Sequence, residues 1–438
     1  MRVLMISEHA SPLGVLGGID SGGQNVYVAK LSQQLAAQGI EVDIVTRRED
    51  EEVSSTICMS PHVRLIHVPA GPARPIRKEE LLPFMSEFAD YCGALCRTRR
   101  YDLIHANFFM SGLVGLILKE RFGLPLVVTF HALGKVRRMH QGDVDDFPSQ
   151  RLDIEGTLVR AADGIIAECP QDREDLVKLY GADRRTIWVI PCGYDPLELE
   201  PLPKQISRAH LNIPAAPFVV LLLGRLVPRK GIDNAIKGFA LFVREQTANA
   251  YLLVVGGDHD APDPAQSPEL ARLMMCAERA EVQERVVFVG RKPRDQLKYY
   301  YSAADVFVST PWYEPFGITP VEAMACATPV IGAHVGGIKS TVIDGETGLL
   351  VAPKDPPSLA RALGILHTDP ALRRFMGERG RMRAAARYTW AVVASAVTDL
   401  YGDVSDNRIA TRWSARYPFL PPGAMIRTPG IADRREVQ

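Results

Sequence analysis

Glu314-Pro-Phe-Gly-Ile-Thr-Pro-Val-Glu322 sets two carboxylates eight residues apart across a loop that reads as running straight into a helix. The backbone N–H groups of Phe316, Gly317, Ile318 and Thr319 then fall at a helix N-terminus, where unpaired donors and the helix dipole favour an anion such as a diphosphate. A carboxylate at each end can accept hydrogen bonds from hydroxyls. Glu314, on the loop, would take those of a sugar ring, and Glu322, about one and a half turns into the helix, those of a ribose. A nucleotide sugar has that distribution of charge and hydroxyls.

Positive charge for the diphosphate is available in Gly224-Arg-Leu-Val-Pro-Arg-Lys-Gly231. Arg225 leaves a strand end and Lys230 opens the next helix, so two fixed cations can converge where leaving-group charge develops, with Arg229 between them. Near the start, Asp20-Ser-Gly-Gly-Gln-Asn25 joins the first strand to the first helix. Gly22 and Gly23 remove side chains where a phosphate or sugar must approach the backbone. His131 follows Pro125-Leu-Val-Val-Thr-Phe130 and sits at the mouth of a sheet, a place for orienting a sugar by hydrogen bond. His105, ending Tyr101-Asp-Leu-Ile-His105, is the analogous but weaker candidate. Asp143-Val-Asp145 and Asp258-His-Asp260 have the spacing of a metal-diphosphate motif. With Arg225 and Lys230 on hand a metal is unnecessary, and neither metal nor cofactor is expected.

Elements of alternating type must position these groups. Strands are expected at 3–6, 41–46, 63–68, 102–106, 126–130, 164–167 and 186–190, then at 218–223, 251–255, 286–289, 305–308, 330–331 and 349–351. Helical patterns lie between most of them. The helix at 24–38 carries Val26, Leu31 and Leu35 on one face and stops at Gly39. Six prolines from Pro191 to Pro217 mark a linker. The expected architecture is α/β, with doubly wound parallel-sheet domains at 1–200 and 201–386 and ligand in the cleft between them. A helix over 387–404, anchored by Trp390, and an irregular tail over 405–438 complete it.

The Glu314–Glu322 stretch resembles the E-x-F-G-x-x-x-x-E signature of the retaining glycosyltransferases of family 4, and residues 286–351 match that family closely. Gly224–Gly231 resembles its G-R-x-x-x-x-K-G motif, Gly22-Gly23 its first-domain glycine loop and His131 its T-x-H segment, so the resemblance spans residues 1–400. It implies a GT-B fold of two Rossmann-like domains, with the last helix crossing back to the first. It implies transfer of a sugar from a nucleoside diphosphate to an acceptor hydroxyl with retention and no obvious enzymic nucleophile. The departing diphosphate, stabilised by Arg225 and Lys230, would collect the acceptor proton, and the stretch Gly290–Pro293, with Arg291, would set nucleotide choice. A phosphorylase, a nucleotide-sugar epimerase and a non-catalytic sugar-nucleotide binder are the alternatives on this architecture.

Within the family, Gly22-Gly23-Gln24-Asn25, Ser111-Gly112 and His131-Ala-Leu-Gly134 are similar to both the inositol-phosphate glycosyltransferases and the sucrose-phosphate synthases. A phosphorylated or otherwise anionic acceptor is therefore expected, bordered by Asn25. Lys78 and Arg151 fall where the inositol-phosphate enzymes place cations. The tyrosine and threonine expected beside them are replaced by Phe108 and Ala132, which argues against inositol phosphate itself. The plainer alternative leaves Lys78 and Arg151 as solvated cations.

Composition narrows the classes. The 438 residues carry 51 basic and 51 acidic side chains, which removes any global case for a nucleic-acid partner. No apolar run approaches bilayer length, although peripheral membrane contact stays open, as does oligomeric state. Met1-Arg-Val-Leu-Met-Ile6 goes directly into a strand without the h-region of a secretory signal, and seven cysteines without a C-x-x-C pair agree with reduced thiols. Cytoplasmic residence is expected, with Cys92 and Cys96 packing on one helix face.

Overall fold

A computed structural model of the chain describes residues 1–14, 22–142 and 146–406. Asp20 and Ser21 of the first glycine loop, the Asp143–Asp145 motif and residues 407–438 of the expected tail lie outside the described residues.

Eight strands form the first sheet: β1 (Arg2–Ile6), β2 (Glu41–Arg47), β3 (Thr56–Ser60), β4 (Val63–Val68), β5 (Leu103–Asn107), β6 (Leu126–Thr129), β7 (Gly164–Ala167) and β8 (Ile187–Val189). Their order is β3-β4-β2-β1-β5-β6-β7-β8. The second sheet holds β9 (Phe218–Leu223), β10 (Ala250–Val255), β11 (Val286–Gly290), β12 (Val306–Ser309), β13 (Val330–Ala333) and β14 (Gly348–Val351), in the order β11-β10-β9-β12-β13-β14. Every pairing is parallel except β3 with β4. Helices cover both faces, so the inner strands are continuous apolar runs such as Val3-Leu-Met-Ile6, each residue fully buried. The fold is GT-B: two doubly wound α/β sheets.

Strand order explains where a ligand can enter. β1 lies between β2 and β5, and β9 between β10 and β12. Connections leave these central strands toward opposite sides, which opens a crevice beyond their carboxyl ends. The loops after β1 and β9 are those that carry Gly22-Gly23 and Arg225–Lys230.

Two expectations need correction. The antiparallel edge strand β3 carried no clear sequence signal, because only Ile57 and Met59 pack against the core while much of the strand stays partly exposed. Lys230 does not open a helix. It ends a short turn, Pro228–Lys230, and the helix Ile232–Gln246 starts only after Gly231, whose φ of +64° interrupts the helical path. A Cβ at Gly231 would stand 2.0 Å from the Thr310 carbonyl oxygen, so this turn is locked against β12's following loop.

The helix Trp390–Ser405 packs on the helix Gly23–Ala37 of the first sheet. Thr389 caps it by accepting the Val392 N–H at 3.3 Å, and Trp390, Val393, Val397, Leu400 and Tyr401 form its buried face. Backbone bonds from Tyr194 N–H to Tyr388 (2.7 Å) and from Trp390 N–H to Tyr194 (3.1 Å) stitch its approach to the linker after β8.

Candidate active site

One cleft of about 350 Å³ opens between the two sheets, and it gathers the donor and acceptor candidates named from the sequence, though not His105 or the Asp258-His-Asp260 carboxylates. Gly22, Gly23, Asn25, Lys78, Phe108, His131, Ala132 and Arg151 come from the first sheet's side. Arg225, Lys230, Arg291, Glu314, Phe316, Gly317, Ile318, Thr319 and Glu322 come from the second's. His9, Arg137, Phe147, Glu168, Arg294 and Tyr313 also line it and were not singled out from the sequence.

On the second side, the loop after β12 hands Glu314 to the cleft. Gly336 permits this: a Cβ there would stand 1.9 Å from the Glu314 carbonyl oxygen, and Gly337 N–H donates to that oxygen at 3.0 Å. The Glu314 carboxylate accepts from Lys230 Nζ, and Arg229 Nη1 lies 3.7 Å away. Burial works to raise the Glu314 carboxyl, but Lys230, Arg229 and Arg225 outweigh it and hold the group below its usual range. Burial lowers the Lys230 ammonium, and Arg229 and Arg225 add to that against the pull of Glu314. The cluster of three cations around one carboxylate contributes to both shifts, beside the burial that dominates that of Lys230. Beside them the helix Ile318–Ala325 begins at Gly317 with φ +91° and no side-chain cap, so its first N–H groups remain available to an anion.

Glu322 is 2% exposed and accepts from Arg294 Nη2 at 3.1 Å and from the Tyr301 hydroxyl at 2.8 Å. Arg291 donates from Nε to Asp260 at 3.0 Å. That pairing occupies the second carboxylate of Asp258-His-Asp260 with a cation.

On the first side, several expected roles change. Asn25 is buried, with Oδ1 accepting the Gly22 N–H and Nδ2 donating to the Ser11 carbonyl, each at 2.9 Å. Its amide shapes the glycine loop. His131 has both ring nitrogens engaged, Nδ1 with Glu168 Oε1 at 2.9 Å and Nε2 with Asn107 Oδ1 at 3.1 Å, so it is braced on two sides. His105 is no site residue. It lies inside the sheet opposite Val127, bonded to the Tyr401 and Thr129 hydroxyls at 2.7 and 2.8 Å. Burial, then His131, lowers its pKa to about 3, so it is a neutral brace for the last helix.

Arg151 is not a solvated cation. It is 1% exposed, donates from Nε to Glu155 (2.8 Å) and from Nη2 to the Ala132 carbonyl (2.6 Å), and sits 4.5–5.0 Å from the rings of Phe108, Phe109 and Phe147. Its Nη1 is buried without a hydrogen-bond partner. Phe108 takes φ +86° and ψ 163°, a conformation that L residues rarely adopt, and such strain concentrates at functional sites. Lys78 is half-buried at the start of the turn Lys78–Glu80.

Behind His131, Glu168 N–H donates to Asp172 at 3.1 Å. Burial, then the charge of Glu168, pushes the Asp172 carboxyl up to about 8. An unfolded aspartate titrates near about 3.9. The folded protein therefore keeps a proton that the unfolded chain releases, and this contribution is full below about pH 4 and lost as pH rises through about 8. Asp172→Asn is expected to flatten the fall in melting temperature between about pH 5 and about pH 9. Parallel slopes for variant and parent would refute the assignment.

The two sheets, the cleft at their switch points and the cation-ringed carboxylate define the GT-B class of glycosyltransferases. A model for Glycosyltransferase Family 4 matches residues 21–197, and one for Glycosyl transferases group 1 matches residues 203–383. The D-inositol 3-phosphate glycosyltransferase of Acidothermus cellulolyticus is 36% identical over 418 residues, 93% of this chain and 91% of its own. The sucrose-phosphate synthase of Thermosynechococcus elongatus superposes with a TM-score of 0.84 at 36% identity, over 93% of this chain and 99% of that one. Anabaena HepE, solved with UDP and glucose, shares the fold at 21% identity and a TM-score of 0.71, over 92% of this chain and 100% of its own. The chain belongs to the family 4 glycosyltransferases. It is an enzyme that moves a sugar from a nucleoside-diphosphate sugar to an acceptor hydroxyl. Among the described residues no helix is long and apolar enough to cross a membrane.

Proposed function

We propose that the donor's diphosphate lies between Arg225, Lys230 and the N-terminus of the helix Ile318–Ala325, with Gly22 and Gly23 close to the phosphates. The observation that carries this reading is the charge balance, three cations on one carboxylate, which an incoming diphosphate corrects. Glu314 and the backbone from Phe316 to Thr319 hold the sugar, Glu322 the ribose, and Arg291 the nucleotide's outer edge. His131, braced by Glu168, orients the sugar by exchanging its Asn107 partner for a hydroxyl. The leaving diphosphate takes the acceptor proton, so the protein contributes preorganised charge instead of a nucleophile. UDP bound to HepE is consistent with a nucleoside diphosphate in such a cleft. Residence in the cytoplasm fits the free thiols.

The acceptor we propose is a phosphorylated polyol or sugar, its phosphate facing Lys78 and the unpartnered Nη1 of Arg151. The relatives named for inositol 3-phosphate and sucrose phosphate support an anionic acceptor. Phe108 and Ala132 offer no hydroxyl, which argues for a phosphorylated acceptor other than inositol phosphate. Mass spectrometry of products across inositol phosphate, fructose 6-phosphate, other sugar phosphates and neutral glycans tests this. Efficient use of a neutral acceptor, unchanged in Lys78→Ala, overturns it, and efficient use of inositol phosphate shows the hydroxyls dispensable. Transfer is also expected to persist in a chelator, because Arg225 and Lys230 already supply the charge. Activity abolished by EDTA and restored by magnesium or manganese would rewrite this mechanism.

A further inference from the structure

Arg294 opens the helix Arg294–Ala303 after β11 and lines the cleft next to Glu322. Its guanidinium is divided between two carboxylates. Nη2 donates to Glu322 at 3.1 Å, and Nε donates to Glu198 at 3.0 Å. Glu198 is outside the cleft lining, in the connection between the two family-matched segments that end at 197 and begin at 203. Its other oxygen accepts from Lys30 Nζ, which also holds Asp195 at 2.9 Å. Lys30 belongs to the helix Gly23–Ala37, whose first residue is at the cleft.

A line of ion pairs therefore runs from the first sheet's leading helix, through the interdomain connection, to Glu322. We infer that Arg294 is a positioning residue for donor recognition, held in register by Glu198 and Lys30, and that this relay keeps Glu322 open to a ribose. The inference rests on the reading of Glu322 as the ribose carboxylate.

The charges explain why the far end matters. Lys30 and Arg294 serve three carboxylates, Asp195, Glu198 and Glu322. While Glu198 holds the Nε edge, Arg294 spends one N–H on Glu322 and leaves the carboxylate's remaining lone pairs for hydroxyls. Without Glu198 the planar fork is free to turn both edges onto Glu322, the bidentate arrangement that guanidinium and carboxylate favour. Bound in that way, Glu322 presents fewer acceptor sites to a ribose. Burial opposes the Lys30 charge, but hydrogen bonds to Asp195 and Glu198 overcome it, so the relay's outer cation stays ionised.

Calorimetry on the full chain tests the relay, with UDP, ADP and GDP to find the tightest ribonucleoside diphosphate and inorganic pyrophosphate as the ribose-free probe. Glu322→Gln and Glu198→Gln are each expected to weaken the ribonucleotide about 5- to 50-fold, with pyrophosphate affinity unchanged. Lys30→Met, on a partly exposed helix face, should act in the same direction and more weakly, and it covers the case in which Glu198→Gln does not fold. At saturating donor, acceptor KM should not move in Glu198→Gln or Lys30→Met. If Glu322→Gln weakens the ribonucleotide while Glu198→Gln and Lys30→Met do not, the relay is wrong and the ribose assignment stands. If Glu322→Gln leaves ribonucleotide affinity unchanged, the ribose assignment itself fails. Equal loss of pyrophosphate and ribonucleotide in Glu198→Gln would reduce the relay to general structural support and overturn the inference.

Discussion

Lys230→Ala is expected to lower turnover by about 10²- to 10³-fold, the usual cost of removing one preorganised group from a developing anion. The argument is electrostatic. Lys230 ends a turn fixed by Gly231 and is carried on the wall of the cleft, with its ammonium on Glu314. In the resting site that carboxylate accepts from Lys230, has Arg229 3.7 Å away and is held down by the charge of Arg225 as well. During transfer the bond between sugar and diphosphate breaks and negative charge grows on the leaving oxygen, so a fixed cation gains interaction energy without reorganising. The fold should survive, because Glu314 keeps Arg229 at 3.7 Å and the side chain removed borders open space. Single-turnover kinetics separate chemistry from binding, and circular dichroism checks the fold. A folded variant that keeps more than about a tenth of its turnover would remove Lys230 from the mechanism.

How much of this was legible follows from chain separation. The Glu314–Glu322 loop was readable because both carboxylates, the glycine at 317 and the helix start share one short segment. The same holds for Arg225 and Lys230. Inner strands such as Gly164–Ala167 and Phe218–Leu223 appeared at their observed limits, since strands buried on both faces give uninterrupted apolar runs. What failed depended on register or on distant partners. His105 looked like a weaker analogue of His131, yet the pairing of His105 with Val127 places it two residues inside the sheet, and Asn107 is the residue at the strand's end. Glu168, Glu198 and Arg294 reach their partners only through strand order and the interdomain path, which no local pattern encodes. Arg151 was partly readable: Glu155 four residues on is a helical ion-pair spacing. That spacing does not reveal the three phenylalanine rings that bury the pair.

Arg151→Ala is expected to cost about 3–5 kcal/mol of stability, the range for breaking a buried ion pair by removing one partner. Glu155 is fully buried, and without Arg151 it would keep only the Gly134 N–H, at 3.0–3.1 Å, and the Tyr180 hydroxyl. The Ala132 carbonyl would lose its guanidinium donor, and the rings of Phe108, Phe109 and Phe147 would face a void. A surface cation would cost far less, since exposed pairs are worth about 0–1 kcal/mol. Denaturant unfolding of the alanine variant therefore decides whether Arg151 is built into the core, and a midpoint equal to that of the parent would sink this account. Arg151→Lys asks the second question. A lysine keeps the charge, but one ammonium cannot reproduce the planar fork that binds Glu155 and Ala132 while presenting a third edge. If that edge meets the acceptor's phosphate, the lysine variant should raise acceptor KM with donor KM unmoved. An unchanged acceptor KM in a folded Arg151→Lys protein would leave Arg151 with a structural role alone, and phosphate recognition would then fall to Lys78.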